Sequence, residues 1–384
     1  MRGHMRTHNP EAGFSLIELM TATTISLIVI GTAMAAFKDG VAMNDTASNL
    51  ADASQNLRGG TNFLVRDLVS AGRVIPTGGI PIPSGSGSGQ IKRPSPPGTQ
   101  YYFDNTTATT LTAITTGAGL GPSVDSQVTD IVTILTIDPI LDACRGGALF
   151  LNPALKSNGT TSNPAPVLAQ DGSYFNVGTN VGCVNGIAGT WIVGDATGGQ
   201  SPIKKGDLLM FTDPLGKSAL QTVTKTDATN VYFEANSNDA FGLNQRSATA
   251  GSITQILGIA PNKLVGLRVQ RVFMWTYYVD ATASGQPHLM RQLNFFSPQA
   301  LAGVVEDLEL SYDLVDGTVN PVDIKTLPYT GTDGTVYTAS QIRKVNVHVG
   351  VRSETMSIKQ HDYLRNHLST VVSLRSLAYV DRYQ

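Results

Sequence analysis

The sequence predicts an α+β chain, with one long N-terminal helix ahead of an antiparallel, β-rich head. Three observations predict it. An apolar run fills residues 14–37, an amphipathic helical pattern continues from it to about residue 72, and short strand-like runs separated by turn signals follow. The strand-like runs do not alternate with helical patterns, which favours an antiparallel sheet over a parallel one. Charged residues are 15% of the chain, well below the roughly 25% of an average soluble protein, so neither a coiled coil nor a charge-driven disordered chain fits. Twenty-seven basic against 29 acidic residues leave a net charge of −2, which gives the chain as a whole no pull towards nucleic acid. Two cysteines exclude a zinc-finger array and a dense disulfide scaffold.

The first element begins with a short polar stretch, residues 1–13, that sets Arg2 and Arg6 against Glu11. From Phe14 to Phe37 the only charge is Glu18. At about 1.5 Å per residue this run as a helix crosses a hydrocarbon core of roughly 30 Å. The basic flank would stay in the cytoplasm and leave the bulk of the chain outside. The run is too long for the apolar part of a secretory signal, about 7–15 residues, and Lys38-Asp39-Gly40 offers no small-residue cleavage site. A plain anchor explains the length but not Glu18, because a carboxylate in an apolar span costs a few kcal/mol.

The string Gly13-Phe14-Ser15-Leu16-Ile17-Glu18-Leu19-Met20 resembles the processing site of type IV prepilins and type II secretion pseudopilins. The resemblance implies a type IV pilin-like fold and a leader, residues 1–13, removed by a membrane-embedded prepilin peptidase. Met5 is an alternative start, which leaves residues 5–13 as the leader. The cut would fall between Gly13 and Phe14, and Phe14 would be N-methylated. A glycine suits the cut because the chain must pass close to the protease backbone. Glu18 would be an assembly contact, pairing with the N-terminal amine of a neighbouring subunit, since a buried carboxylate needs a cation. Many major pilins carry a proline near the middle of this helix; here none lies between Phe14 and Phe37. Gly31 and Ala35 form a small-xxx-small pair that would allow close helix packing, or simply fill a lipid-facing helix.

Beyond Phe37, Val41, Leu50, Ala53, Leu57, Leu64, Leu68 and Ala71 trace an apolar stripe, so the predicted helix covers residues 14–72, with 14–37 in the membrane. Gly59-Gly60 is a candidate kink. The stretch from Asn62 to Leu68 is similar to the end of the helix in PilW-type minor pilins and J-type pseudopilins. The predicted head spans residues 73–384. Within it, Pro, Gly and Ser crowd residues 76–98, which predicts a flexible loop with little to pack. Strand-like runs follow at Asp130–Ile137, Asp207–Thr212, Ala219–Thr224, Val231–Ala235, Leu264–Val279, His288–Phe296, Glu306–Leu314 and Arg343–Val351. In the last, Val345, Val347, Val349 and Val351 alternate with Asn346, His348 and Gly350, the period of a half-buried strand. Asp213-Pro214, Asp316-Gly317 and Asp333-Gly334 mark turns. Lys205–Leu209, Val304–Leu310, Ile342–Val347 and Leu368–Arg375 resemble pieces of the PilW-type head in order. Insertions around residues 76–125 and 140–200 have no counterpart there.

Cys144 and Cys183 both fall in the second insertion, and an exported head in an oxidising compartment would bridge them. No enzyme emerges. His288, His348, His361 and His367 sit in no recognisable catalytic or metal-ligating motif. Gly216-Lys217-Ser218 imitates a phosphate loop, but Phe211 stands where its first glycine is required, so a hairpin turn is expected. No cofactor is expected; Asp-rich turns such as Asp313–Asp316 and Asp323 lack the order of a calcium loop, while a calcium site assembled from separated loops stays open. Arg343, Lys344, Arg352, Lys359 and Arg365 make the C-terminal third mildly basic, which usually means a solvated face. The resemblance implies a minor pilin of a type IV pilus, in its priming or tip complex, whose partners are the prepilin peptidase, other minor and major pilins, the inner-membrane assembly platform and the membrane. It would lie in the inner membrane with its head outside the cytoplasm, then in the surface pilus. The alternatives are a J-type pseudopilin and a pilus-borne subunit that binds surfaces or DNA.

Overall fold

A computed structural model of the chain describes residues 13–138, 149–153, 167–169, 171–176, 183–184, 187–188, 203–227, 230–257, 267–282, 286–315, 319–357, 361–374 and 376. Contacts divide the chain into two units, residues 1–52 with 353–364 and residues 53–352 with 365–384. Helix α1 runs unbroken for 55 residues, Leu16–Ser70, and contributes to both.

Within the first unit α1 is exposed up to Val41. From there Ala42 is buried and Thr46 and Asn49 are half-buried, three positions on one helical face. Thr46 lies 3.4 Å from the hydroxyl of Ser357. Within the second unit the helix buries Ala53, Leu57, Leu64, Leu68 and Ala71, spaced at the helical period. Leu64 and Leu68 are fully buried, each contributing about 1.5–3 kcal/mol. Val41 and Leu50 depart from the expected stripe and are exposed, because the covered face passes through Ala42, Thr46 and Asn49 instead. Gly59 and Gly60 do not interrupt the helix. A Cβ at Gly60 would lie 2.9 Å from that of Ala302 and 3.1 Å from Leu289, so the glycine lets helix and sheet approach closely.

The sheet behind the helix is built on one long strand. Its members are β1 (Val132–Ile137), β2 (Leu208–Thr212), β3 (Ser218–Thr222), β4 (Leu267–Asp280), β5 (His288–Leu293) and β6 (Gln299–Ala302), with shorter strands beside them. β4 pairs antiparallel with β1, β2 and β5. Among the described residues a short parallel pair joins Val167–Leu168 to Leu149–Pro153. β2 explains its continuous apolar run: Leu208 and Met210 enter the core beneath α1, while Leu209 and Phe211 enter a second core on the other face. There Phe175, Phe211 and Phe233 pack with ring centroids 5.4–6.2 Å apart. The turn at Asp213-Pro214 closes the β2–β3 hairpin; Asp213 Oδ1 accepts the N–H groups of Leu215 and Lys217 at 2.9 and 2.7 Å. Gly216-Lys217-Ser218 therefore belongs to a hairpin, as the sequence led one to expect.

A second sheet orders β7 (Val305–Leu314), β8 (Ile342–Met356) and β9 (Tyr363–Ser373). The alternating valines of β8 are all buried against Leu308, Leu310 and Tyr312 of β7 and the shared core. Asp130 ties this sheet to the start of β1: its Oδ2 accepts Leu310 N–H at 2.7 Å and its Oδ1 accepts Gly119 N–H at 2.8 Å.

Residues 76–98 have more to pack than their composition suggested. Ile80, Ile82 and Ile91 are buried, Ser84 bridges Ala250, and Lys92 N–H donates to Phe241 O at 2.8 Å. The prolines, glycines and serines hid three isoleucines that pack into the core. Arg93 fastens the segment. Its guanidinium, buried with no carboxylate paired to it among the described residues, donates to the carbonyls of Thr115, Thr116 and Ile131 at 2.8–3.2 Å and to Thr133 Oγ1 at 3.2 Å. Burial lowers its pKa to about 10, so it stays charged at neutral pH.

Two ionic nodes lie inside the second unit. Arg271, buried, pairs with Asp138 and, at 3.3 Å, with Asp207, whose carboxyl is pushed upward chiefly by burial. Nearer the helix, Asp67 Oδ2 accepts Tyr277 O–H at 2.6 Å and Arg291 Nε–H at 2.8 Å. The Arg291 guanidinium lies 3.3 Å from the centroid of the Trp275 ring. Burial and the Asp67 charge push the Tyr277 hydroxyl far above the ordinary tyrosine range. Its proton therefore stays available to Asp67.

Candidate functional site

The N-terminal segment Gly13–Val41 is the candidate. Ser15 precedes the first helical residue, Leu16, and its Oγ accepts Ile17 N–H at 3.2 Å. Glu18 reaches back, and its Oε2 accepts Ser15 N–H at 3.0 Å. Ser15-x-x-Glu18 is thus a capping box, satisfying two N–H groups that the first turn would leave bare. A carboxylate at that end also suits the positive pole of the helix dipole. The sequence reading assigned Glu18 only to a neighbouring subunit and missed this local role, although the Ser-x-x-Glu spacing carries the signal. Gly13 lies in open space just before the box, and no atom within 4 Å would meet a Cβ there.

The helix that follows presents apolar side chains all round. Phe14, Leu16, Ile17, Leu27 and Met34 are each at least 70% exposed, and an all-round apolar helix requires lipid or other helices as its surroundings. Its threonine hydroxyls turn back to the backbone. Thr21, Thr23, Thr24 and Thr32 donate to the carbonyls of Glu18, Leu19, Met20 and Val29 at 2.7–3.0 Å. Their hydrogen bonds are therefore met within the helix, the condition for entering a hydrocarbon layer. Gly31 and Ala35 lie one turn apart on this exposed surface, and nothing packs within 4 Å of Gly31.

A family model of the prokaryotic N-terminal methylation motif matches residues 8–34. Its N-terminal segment carries the methylation motif of type IV pilin-like proteins. The match takes in Gly13, Phe14, the capping box and most of the apolar run, and a helix of this length followed by antiparallel sheets is the pilin-like α+β fold. The motif belongs to structural subunits, and one apolar segment placed this way fits membrane anchoring. Neither a curated protein nor a solved structure matches the chain.

The remaining predicted site residues are dispersed. Cys144 lies outside the described residues; Cys183 opens a two-residue strand, and its side chain also lies outside them. His348 and His367 come together on the outer face of the second sheet, ring centroids 5.8 Å apart. His348 also meets Ser369 Oγ at 2.8 Å and Asp307 at 3.5 Å, a proximity the scattered sequence positions did not reveal. Among the described residues no group of three His, Cys, Asp or Glu is placed to hold a metal ion. Arg352 and Arg365 are engaged by Glu306 at 2.7 and 3.0 Å, and Arg365 also by Asp125 at 2.9 Å. Two of the five basic residues noted in the C-terminal third, Arg352 and Arg365, are thus paired charge.

Proposed function

We propose that the chain is a minor pilin, an assembly subunit of a type IV pilus that works in the priming or tip complex rather than as an enzyme. Prepilin peptidase would cut between Gly13 and Phe14 and the new amine of Phe14 would be methylated. Residues 14–37 would hold the subunit in the inner membrane, with the head outside the cytoplasm, until it joins other pilins. The observation that carries this is the methylation motif, which takes in the capped start and most of the apolar run of an exposed helix. The large head favours a pilus subunit over a J-type pseudopilin, and Gly31 and Ala35 would serve close packing between helices. Co-purification from the native cell tests it: other pilins should come down with the chain, and recovery of secretion-system pseudopilins instead would reverse the assignment.

Processing is testable by Gly13→Leu. A side chain at the cut should leave the protein at its full precursor mass in the membrane, whereas wild-type conversion to the mature form would remove Gly13 from the site. Cys144 and Cys183 we assign to one disulfide, closing a loop of about 40 residues and worth roughly 4 kcal/mol. The oxidised protein should then migrate faster than the reduced one on denaturing gels. Two titratable thiols in the denatured, unreduced chain would contradict the bridge.

A further inference from the structure

The two edges of the second sheet are finished differently. The β7 edge is closed by neighbouring backbone and one carboxylate. Leu308 O accepts Asp130 N–H at 2.8 Å, and Leu310 N–H donates to Asp130 Oδ2 at 2.7 Å. Tyr312 and Ile324 exchange both backbone hydrogen bonds, at 2.9 and 3.0 Å, and Leu314 N–H donates to Pro321 O at 2.8 Å. β9 forms the opposite edge.

The register decides which backbone groups of β9 face outward. Leu374 N–H donates to Arg343 O at 2.9 Å, and Ser369 Oγ meets His348 Nδ1 at 2.8 Å. The two contacts lie five residues apart on both strands, so they share one antiparallel register. In such a ladder alternate residues turn both N–H and C=O to the same neighbour. Asn366, Leu368, Thr370 and Val372 therefore bond to β8 as Leu374 does, while His367, Ser369, Val371 and Ser373 turn theirs outward. His367 N–H is taken by Asn366 Oδ1 at 2.9 Å. The N–H groups of Ser369, Val371 and Ser373 and the carbonyls of His367, Ser369 and Val371 meet no partner among the described residues.

Natural edge strands are commonly guarded by proline, lysine, inward charge or a bulge. Residues 365–373 contain no proline, lysine, glycine or acid, and Arg365 at their start is held by Glu306 and Asp125. From Leu368 to Leu374 the side chains carry no charge. On one face of β9 Leu368 is half-buried against the core and Val372 is buried; on the other Val371 is 60% exposed.

We propose that the β9 edge receives an extended segment of another pilin of the same filament, which adds a strand beside residues 367–373; this rests on the assembly role proposed above. A second extended backbone can meet a row of alternating donors and acceptors and bury it in one step. The period of two places every other incoming residue beside Leu368 and Val372, so those positions are apolar. The positions beside Ser369 and Val371 are uncharged and β-branched, since no charge on β9 answers one there.

The test uses Val371→Pro in the full chain. The proline ring removes an outward N–H and fills the place of an incoming strand, while the bonds to β8 remain. Urea unfolding in detergent should therefore give Val371→Pro the wild-type midpoint and Thr370→Pro, whose N–H faces β8, a lower one. A Val371→Pro midpoint lowered as far as that of Thr370→Pro would overturn the open edge. In the native cell, the photoreactive amino acid p-benzoylphenylalanine at Ser373 should cross-link to a protein that itself begins with the N-terminal methylation motif. Val371→Pro should reduce that adduct about tenfold, the effect of losing a ladder hydrogen bond or two. The same probe at Ile28 should give pilin adducts with and without the proline. Pilin adducts at Ile28 but none at Ser373 would overturn the strand contact alone. So would a Ser373 adduct with a second copy of this chain, or one that Val371→Pro leaves unchanged. An absence of pilin adducts at both positions would overturn the assembly role and the strand contact with it.

Discussion

Replacing Asp67 with alanine is expected to destabilise the folded head by about 3–5 kcal/mol, the usual cost of removing one partner from a buried ion pair. The loss exceeds one hydrogen bond because two donors depend on the same oxygen. Arg291 and Asp67 are only 13% and 7% exposed at their side chains, so neither the stranded guanidinium nor Tyr277 O–H can turn fully to water. Arg291 would keep its place over Trp275 but without an anion. Asp67→Asn should cost less, since the amide oxygen still accepts from Tyr277. The double change Asp67→Leu with Arg291→Met should recover much of the loss, because removing both partners leaves no buried charge. Urea unfolding in detergent of the wild type, Asp67→Leu, Arg291→Met and the double change checks this. A cycle in which the two single losses simply add would mean that the pair is not coupled.

Glu18→Val is expected to cost assembly far more than folding. In the single chain Glu18 accepts one N–H of the capping box, and losing such a contact costs about 1 kcal/mol at a helix end. The first turn frays, while the core beneath residues 53–71 is untouched. In the filament the proposed partner is the methylated amine of a neighbour, and stranding that cation in a water-excluded bundle costs about 3–5 kcal/mol. Recruitment should weaken by roughly two to three and a half orders of magnitude, at about 1.4 kcal/mol per tenfold. Glu18→Gln separates the two roles: its amide oxygen still caps Ser15, but it carries no charge. Cross-linking to co-assembling pilins should therefore fail in both variants. Wild-type recruitment by Glu18→Gln would leave Glu18 with the cap alone.

What was legible in the sequence was what repeats locally. The valines of β8 alternate because one face is buried, and α1 shows its stripe from Ala53 to Ala71, where it enters the core. β9 escaped notice because Asn366 and Thr370 stand among its inward positions beside Leu364, Leu368 and Val372, so neither face reads as apolar. Residues 76–98 misled through composition: proline, glycine and serine outnumber the three isoleucines that do the packing. The contacts of Asp67 with Tyr277 and Arg291 join positions more than 200 residues apart. No local pattern announces them. The candidate site was the reverse case, a run of eight residues whose spacing holds both the processing signal and the helix cap.

The central claim is that this chain is matured as a prepilin, and the mass of its N-terminal peptide in the native membrane tests it most directly. Maturation as proposed predicts a peptide beginning at Phe14 and heavier than the unmodified sequence by one methyl group. A peptide that retains residues before Phe14, begins elsewhere, or carries an unmodified Phe14 amine would contradict it.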